Sequence, residues 1–159
     1  MALSTSALAR LEAGLDEICS SPAWAKLVRT AGPWADSDAV HAANAAAMAR
    51  LSAADLADAM AGHARIGQPK AGDATSEREQ SGVRAADHAL LDELAQANAD
   101  YEAKFGHVFL ICATGRTAEM MLGALRERYG NDAATERETV RGELLKINDI
   151  RIDRLLTEN

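Results

Sequence analysis

The chain has 159 residues and a formal net charge of −7 at pH 7, and its hydrophobic content of 48% is rich in alanine and poor in aromatic residues. A chain of this length can build one hydrophobic core, and its acidic balance lacks the basic stripe that nucleic-acid-binding proteins need. No apolar run approaches the roughly 20 residues of a membrane span, so the composition predicts a single helical domain over residues 1–159 with no nucleic-acid or membrane partner.

Apolar spacing and capping residues predict four helices in the first 62 residues. The first has apolar residues at helical spacing between positions 8 and 18. Ser21, followed by proline, is typical of the start of a second helix. Ser37 and Ser52 are predicted to cap the third and fourth helices, and Gly62 is predicted to end the fourth.

The middle of the chain predicts one long helix and one short apolar run. The helix is expected to start at Ser76, to be disturbed by the Ser-Gly pair at residues 81–82, and to continue to Gly106. The run "HVFLIC" at residues 107–112 is the one β-like stretch. It is too short to distinguish a strand from a buried extended segment.

Two further helices complete the chain and give an all-α prediction. One is expected from Thr117 to Gly130, and the last from near residues 131–135 to the end. The charged stretches "RERYG" (126–130) and "ERET" (136–139) are typical of solvated faces with paired charges. The predicted fold class is therefore an all-α, single-domain bundle of about eight helices.

The connection between the fourth predicted helix and the long helix contains polar side chains that could form a site. His63 follows the predicted end of a helix, where a turn can aim its imidazole sideways, although the helix dipole would favour a cation there in any case. Ser76 and Glu79 have the spacing of a capping box, in which each side chain satisfies a main-chain N–H at a helix start. Each residue by itself therefore has an ordinary structural explanation.

The last helix carries a more informative side chain, Arg151, in the middle of an apolar stripe. A buried guanidinium needs an anionic partner because it cannot be neutralised by deprotonation. An anionic substrate or a structural carboxylate would satisfy the guanidinium. Alternatively, the arginine side chain could itself extend to solvent. Arg154 borders the stripe and is the competing anchor. The stripe consists of Val140, Leu144, Ile147 and Leu155.

Several familiar motifs are missing from the sequence. No Gly-x-Gly-x-x-Gly or Walker loop supports nucleotide binding, and the four histidines have no metal-ligand spacing. Cys19 and Cys112 have neither metal nor redox spacing and are expected to be buried, reduced thiols. The N-terminal sequence lacks the pattern of a signal peptide. These features predict a cytoplasmic protein without a metal site.

Four segments, taken in order, resemble one enzyme family. They are "HARIG", "SEREQSGV", "FGHVFLICATGRTAEMMLGALRERYGND" and "GELLKINDIRIDRLL". Together they are similar to the 2-oxo-4-hydroxy-4-carboxy-5-ureidoimidazoline (OHCU) decarboxylases, the cofactor-free enzymes that finish the conversion of urate to (S)-allantoin. The resemblance implies this ureidoimidazoline as substrate, no cofactor, and a homodimer.

The resemblance also implies roles for individual residues. The family's His-Pro-x-x-Gly motif aligns with residues 63–67, so His63 would be the acid–base residue. Its Ser-x-x-Glu-Gln motif aligns with residues 76–80, which makes Glu79 the catalytic carboxylate, and its late arginine aligns with Arg151. The implied substrate contacts are Ala64, Ser76, Glu77, Arg78 and Gln80, together with the main chain of Phe109, Leu110, Ile111, Cys112 and Ala113.

One position departs from the family pattern. Ala64 stands where many members have proline, and proline would fix the backbone directly after the histidine. The turn after His63 therefore lacks that restraint. The chemistry expected of the imidazole itself does not depend on it.

Two other functions fit the same residues. A non-catalytic helical interaction module would need only the apolar faces, and it predicts that His63, Glu79 and Arg151 are scattered in space. A different cofactor-free lyase or hydrolase acting on a ureide would keep these three residues and change the pocket around them.

Overall fold

The computed structural model describes residues 2–66, 78–80 and 88–157, and the regular structure in these ranges is helical. No strand is present there; one isolated bridge joins Ala2 to Asp36. None of the described helices is both long enough and apolar enough to cross a bilayer. The helices are α1 (Thr5–Ile18), α2 (Pro22–Thr30), α3 (Ser37–Arg50), α4 (Ala53–Ala61), α5 (His88–Phe105), α6 (Ala118–Tyr129) and α7 (Ala133–Thr157).

The all-α prediction is confirmed, whereas the predicted count of about eight helices is slightly too high for the described residues, which contain seven. The discrepancy arises in the middle of the chain. The expected helix start at Ser76 and the disturbance at residues 81–82 lie outside the described residues. Arg78 and Glu79 form only a short helical turn, and the long helix that follows begins at His88.

Most predicted helix starts are confirmed by their capping hydrogen bonds. The hydroxyls of Ser21, Ser52 and Thr117 each accept from the main-chain N–H three residues further on. The third helix differs, because its N-cap is Asp36 and Ser37 is already helical. The Asp36 carboxylate reaches the third helical N–H at 2.9 Å, and an anion at this helix end also interacts well with the dipole.

The chain divides into two compact units, which are described separately. The first contains the residues up to Gly62 and those from Arg141 onward, so it includes α1 to α4 and most of α7. Gly62 ends α4, as predicted. Each of these helices contributes buried apolar side chains, which amphipathic spacing explains. Examples are Leu11, Trp24, Val40, Leu56 and Leu144.

The second unit, His63–Val140, contains α5, α6 and the start of α7. Between α5 and α6 the chain follows a buried segment, Phe109–Ala113, that is neither helix nor strand. Gly106 and Gly115 turn the chain on either side of it, with φ angles of 82° and 78° that favour glycine. Alternate side chains of the segment pack with α5 and α6. The β-like run in the sequence is therefore a buried core segment.

Candidate active site

The turn that carries His63 is tied to two other parts of the second unit. His63 is half-buried and follows the end of α4. The side-chain amide of Gln80 donates to the Arg65 carbonyl at 3.2 Å, and that of Asn98, on α5, donates to the Ile66 carbonyl at 3.0 Å. Since a buried carbonyl is costly to leave without a donor, these bonds restrain the chain just after the histidine.

An ion pair adds a third restraint to the same turn. The Nε and Nη2 atoms of Arg65 lie 3.0 and 2.9 Å from a carboxylate oxygen of Glu102 on α5. The arginine side chain is 54% exposed, so water screens the pair and it contributes little to stability. Ala64 thus lies in a turn that is restrained by side-chain contacts, at the position where proline would have restrained the backbone directly.

The described part of the Ser-x-x-Glu-Gln motif is largely buried. Glu79 is 9% exposed and Gln80 is 6% exposed, so both residues are shielded from solvent. Arg78, in the same turn, is exposed. Ser76 and Glu77 lie outside the described residues, so the roles predicted for them, and the capping box, stay predictions.

A cavity of about 410 Å³ lies beside the His63 turn. Its size falls within the range of small-molecule sites. Its polar lining consists of Arg65, Asn98 and Glu102, all of which also hold the turn in place. His63, Glu79 and Gln80 do not line it, so the cavity adjoins the predicted site without including these residues.

The Phe109–Ala113 segment is held by an arginine from a stretch that was predicted to be solvated. Arg128, near the end of α6, is 9% exposed, and its Nη1 donates to the Leu110 carbonyl at 2.8 Å. Its guanidinium carbon lies 4.5 Å from the centre of the Phe109 ring, a cation–π contact. The prediction that residues 126–130 are solvated is therefore wrong at Arg128.

The partner of Arg128 is Glu136, which is fully buried, so the solvated interpretation of residues 136–139 is wrong there too. The Arg128 Nη2 and Nε atoms donate to one Glu136 oxygen at 2.6 and 3.0 Å. Tyr101 and Asn131 also donate to this carboxylate. Burial, with the hydrogen bond and charge of Glu136, raises the pKa of Tyr101 well above its usual value, which keeps the phenol neutral as a donor.

Arg151 lies in the first unit and is half-buried. Its Nη1 donates to the main-chain carbonyls of Ile18, at 3.0 Å, and Glu17, at 3.4 Å, at the C-terminal end of α1. A cation is favoured at this end of a helix. Arg154, the competing anchor, has a buried Nη1 that makes no hydrogen bond with the described residues.

The structure thus brings His63, Glu79, Gln80 and the Phe109–Ala113 segment into one compact unit and places Arg151 in the other. The convergence of all three predicted catalytic residues on one pocket stays a prediction. No three His, Cys, Asp or Glu side chains within the described ranges are grouped so that they could hold a metal ion.

Both cysteines are buried, reduced thiols, as predicted. Burial raises the pKa of the Cys19 thiol, which disfavours the reactive thiolate form. Cys112 is part of the buried segment next to the predicted site. Its predicted contribution to substrate binding is through the main chain.

Together, the helical fold, the restrained histidine turn and the buried carboxylate define an all-α protein with a candidate acid–base site. Comparison with known proteins identifies its family: a family model described as OHCU decarboxylase matches residues 4–153. The chain belongs to the OHCU decarboxylase family.

Two curated relatives are similar over different lengths. The "Uric acid degradation bifunctional protein TTL" of Arabidopsis thaliana is 35% identical over 158 residues, covering 93% of this chain and 49% of that protein. The "2-oxo-4-hydroxy-4-carboxy-5-ureidoimidazoline decarboxylase" of Amia calva is 34% identical over 80 residues, covering 50% of this chain and 46% of that protein. The chain thus aligns with about half the length of each of these relatives.

Two solved structures share the fold. A crystal structure of OHCU decarboxylase in the presence of (S)-allantoin has a TM-score of 0.79 and 33% identity, covering 92% of this chain and 99% of that chain. A structure of (S)-allantoin synthase has a TM-score of 0.71 and 20% identity, covering 93% of this chain and 50% of that chain. The second likeness concerns the fold alone.

Proposed function

We propose that this chain decarboxylates 2-oxo-4-hydroxy-4-carboxy-5-ureidoimidazoline to (S)-allantoin without a cofactor. The observation that carries the proposal is the family match over residues 4–153, a range that contains His63, Glu79 and Arg151. The 33% identity to an OHCU decarboxylase that was crystallised with (S)-allantoin, at 99% coverage of that chain, supports the same activity.

The substrate itself can accept the electrons that decarboxylation releases. Its ring carbon bears both the carboxylate and a hydroxyl, and the neighbouring carbon bears the ureido group and a C=N bond. When the bond to the carboxylate breaks, its electron pair forms a C=C bond, and the C=N pair moves to the ring nitrogen, which gains a proton. The resulting enol becomes a ketone as the ureido-bearing carbon is protonated, and this last proton sets the configuration.

In this mechanism, His63 moves a proton and Glu79 orients the reacting groups. A histidine is suited to general acid–base catalysis near neutral pH because its ordinary pKa is about 6.5. The Glu79 carboxylate would hydrogen-bond the substrate hydroxyl and would orient the ring or the imidazole. Its burial strengthens such a bond, since water competes less in a low-dielectric site.

The remaining predicted residues would position the substrate. The main chain of Phe109–Ala113 would bind polar atoms of the ring and the ureido group, and Ser76, Gln80 and their neighbours in the same motif would add contacts. Arg151 would hold an anionic or carbonyl oxygen through its forked donors. Binding the carboxylate out of the ring plane aligns the breaking bond with the C=N system, which lowers the barrier to CO2 loss.

We also infer that both compact units act as one domain, since one family model spans them, and that the protein is a cytoplasmic homodimer. The resemblance to the family supports the dimer, and two buried, reduced thiols are typical of a reducing compartment. Sedimentation should give the mass of two chains. A monomer that persists at all concentrations would contradict the dimer.

The activity is tested with freshly generated substrate by following CO2 release. The wild-type chain should release CO2 faster than spontaneous decay does, and His63→Asn should return the rate close to the spontaneous one. His88, exposed at the start of α5, provides a matched control, because His88→Asn should retain activity. A wild-type rate equal to spontaneous decay would overturn the proposed function.

A further inference from the structure

We propose that Arg128 is a positioning residue, which holds the Leu110 carbonyl and thereby fixes the Phe109–Ala113 main chain for substrate binding. The inference rests on the proposed function, in which that main chain contacts the substrate. Arg128 is buried within the second unit, and we assign it no direct contact with the substrate.

The Arg128 guanidinium donates hydrogen bonds to two groups at once, and the geometry of each bond depends on the other. Two of its nitrogens, Nε and Nη2, are engaged by Glu136, and the third, Nη1, points to the Leu110 carbonyl at 2.8 Å. A guanidinium is planar and its donors have fixed directions. Once Glu136 sets the plane of the group, the position of Nη1 is set as well.

Glu136 is itself firmly held, which makes it a suitable anchor. Its side chain is fully buried, and its two oxygens receive hydrogen bonds from Arg128, from the Tyr101 hydroxyl on α5, and from Asn131 at 3.2 Å. A carboxylate has about four lone-pair sites, so these donors occupy most of its capacity. The anchor therefore links α5, the end of α6 and the start of α7.

The segment is also held through the Phe109 side chain. Arg128 contacts this ring at 4.5 Å from its centre, and the Tyr101 ring meets it edge-on, with centres 5.2 Å apart at an angle of 78°. Both contacts come from members of the same network. The network therefore restrains two consecutive residues of the segment, one through its side chain and the next through its main-chain carbonyl.

This restraint sets the direction of a main-chain donor. In a planar trans peptide the C=O and the following N–H point in opposite directions. Because the Leu110 carbonyl points to Arg128, the N–H of Ile111 points away from it. In a segment that belongs to neither helix nor strand, no regular ladder fixes that peptide plane, and the hydrogen bond from Arg128 restrains it. Small errors in the position of a binding group cost rate steeply.

The test compares Arg128→Lys with Arg126→Lys, two residues earlier on α6. Arg126 is 62% exposed and pairs only with exposed Glu93 among the described residues, so it controls for loss of a guanidinium from this helix. Lysine at position 128 keeps a positive charge for Glu136 but cannot provide the two fixed directions. Each variant is assayed well below its melting temperature, by hydrogen exchange of the peptide covering 109–113 and by steady-state kinetics.

We expect Arg128→Lys to exchange faster in the 109–113 peptide and to lower kcat/KM by between about tenfold and a hundredfold, mainly through KM. Arg126→Lys should match the wild type in both. Unchanged exchange and unchanged KM in a folded Arg128→Lys variant would overturn the inference and leave the arginine a purely structural role. A wild-type chain without activity would instead overturn the proposed function.

If Arg128→Lys does not fold, Tyr101→Phe decides the question, because it removes one donor to Glu136 and keeps the ring. Faster exchange at 109–113 together with a raised KM would support the positioning role. A folded Tyr101→Phe variant that equals the wild type in both measurements would overturn it.

Discussion

The start and the remainder of α7 carry acidic side chains in opposite surroundings. Glu136, near its start, is fully buried and receives hydrogen bonds from three side chains in the second unit. Asp149 and Asp153, further along and in the first unit, have side chains that are 35% and 64% exposed. Both bind one imidazole, that of His41, at 2.6 and 2.7 Å. Protein side chains take the place of water around the Glu136 carboxylate, whereas the carboxylates of Asp149 and Asp153 remain accessible to solvent.

Burial, more than the number of charges, decides what each of these two ionic clusters does for the protein. Removing one member of a buried pair leaves an uncompensated charge, which is costly. An exposed pair is screened by water and contributes little, but its histidine can titrate near neutral pH. We therefore expect the first cluster to control stability and positioning, and the second to make stability depend on pH.

The largest difference should appear when one carboxylate is removed from each cluster. Glu136→Ala should lower the free energy of unfolding by about 3–5 kcal/mol, because Arg128 would remain buried without a counter-charge. Asp153→Ala should change it by about 1 kcal/mol or less. Denaturant unfolding of both variants measures the two values. Equal losses would contradict the assignment of buried and exposed roles.

A milder change within the buried cluster tests its hydrogen bonding. Tyr101→Phe removes one donor to Glu136 and keeps the ring packed against Phe109, so we expect a loss of about 1 kcal/mol, typical of one hydrogen bond. Tyr129→Phe, at a 41% exposed tyrosine on α6, is the control and should be close to neutral. A neutral Tyr101→Phe would show that the phenol does not support the anchor.

Substitution of Arg151 should lower activity strongly while changing stability little. Its described contacts are to main-chain carbonyls at the end of α1, so Arg151→Met should cost only about 1 kcal/mol while turnover collapses. Arg151→Lys keeps the charge but loses the planar fork, and it should also lose most activity. Thermal unfolding and CO2 release are measured together. Full turnover in the lysine variant, or ready unfolding of the methionine variant, would assign Arg151 to the scaffold.

The smallest effect should come from His41 and should depend on pH. Burial lowers the pKa of His41, but its hydrogen bonds to Asp149 and Asp153, with their charges, outweigh this and raise the pKa above its usual value. The folded state therefore binds the proton more tightly, and this stabilisation is complete below the unfolded pKa of about 6.5. It is lost as pH rises through the folded pKa.

We therefore expect wild type to melt above His41→Gln in mildly acidic buffer, with the difference shrinking as pH rises through and above neutral. A gap between wild type and His41→Gln that widens with rising pH would contradict the direction of the shift.

The helix caps show what a local pattern can predict. Ser52 and Thr117 each bond to an N–H three residues away, so residue type and spacing hold all the necessary information. The N-cap at Asp36 was missed by one residue because two adjacent polar side chains could both cap the helix. The choice between them depends on which one reaches the amide.

The buried cluster shows why local patterns fail elsewhere. Arg128 and Glu136 lie on different helices, and each has charged neighbours in sequence that make its stretch look solvated. Their pairing forms only when the chain turns between α6 and α7. A single arginine within the apolar stripe of a helical wheel, as at position 151, is easy to identify. A buried pair that is split between two charged stretches is not.

The roles of His63, Glu79 and the Phe109–Ala113 main chain rest on motif resemblance, since each motif is short and continuous, and they stay predictions. Their presence in one compact unit agrees with a shared site but follows from long-range packing, which no short motif encodes. The position of Arg151 relative to His63 depends on such packing as well. For this reason motif resemblance indicates the candidate residues one by one, as predictions, and carries no information about their joint geometry.

The most direct test of the proposed decarboxylation is the enantiomeric composition of the allantoin that forms from freshly generated substrate. Spontaneous decay has no chiral control and gives a racemic product, whereas an enzyme that delivers the last proton to one face gives one enantiomer. Circular dichroism of the product should show an excess of (S)-allantoin that rises with the concentration of the wild-type chain. Racemic allantoin at every protein concentration would contradict the account.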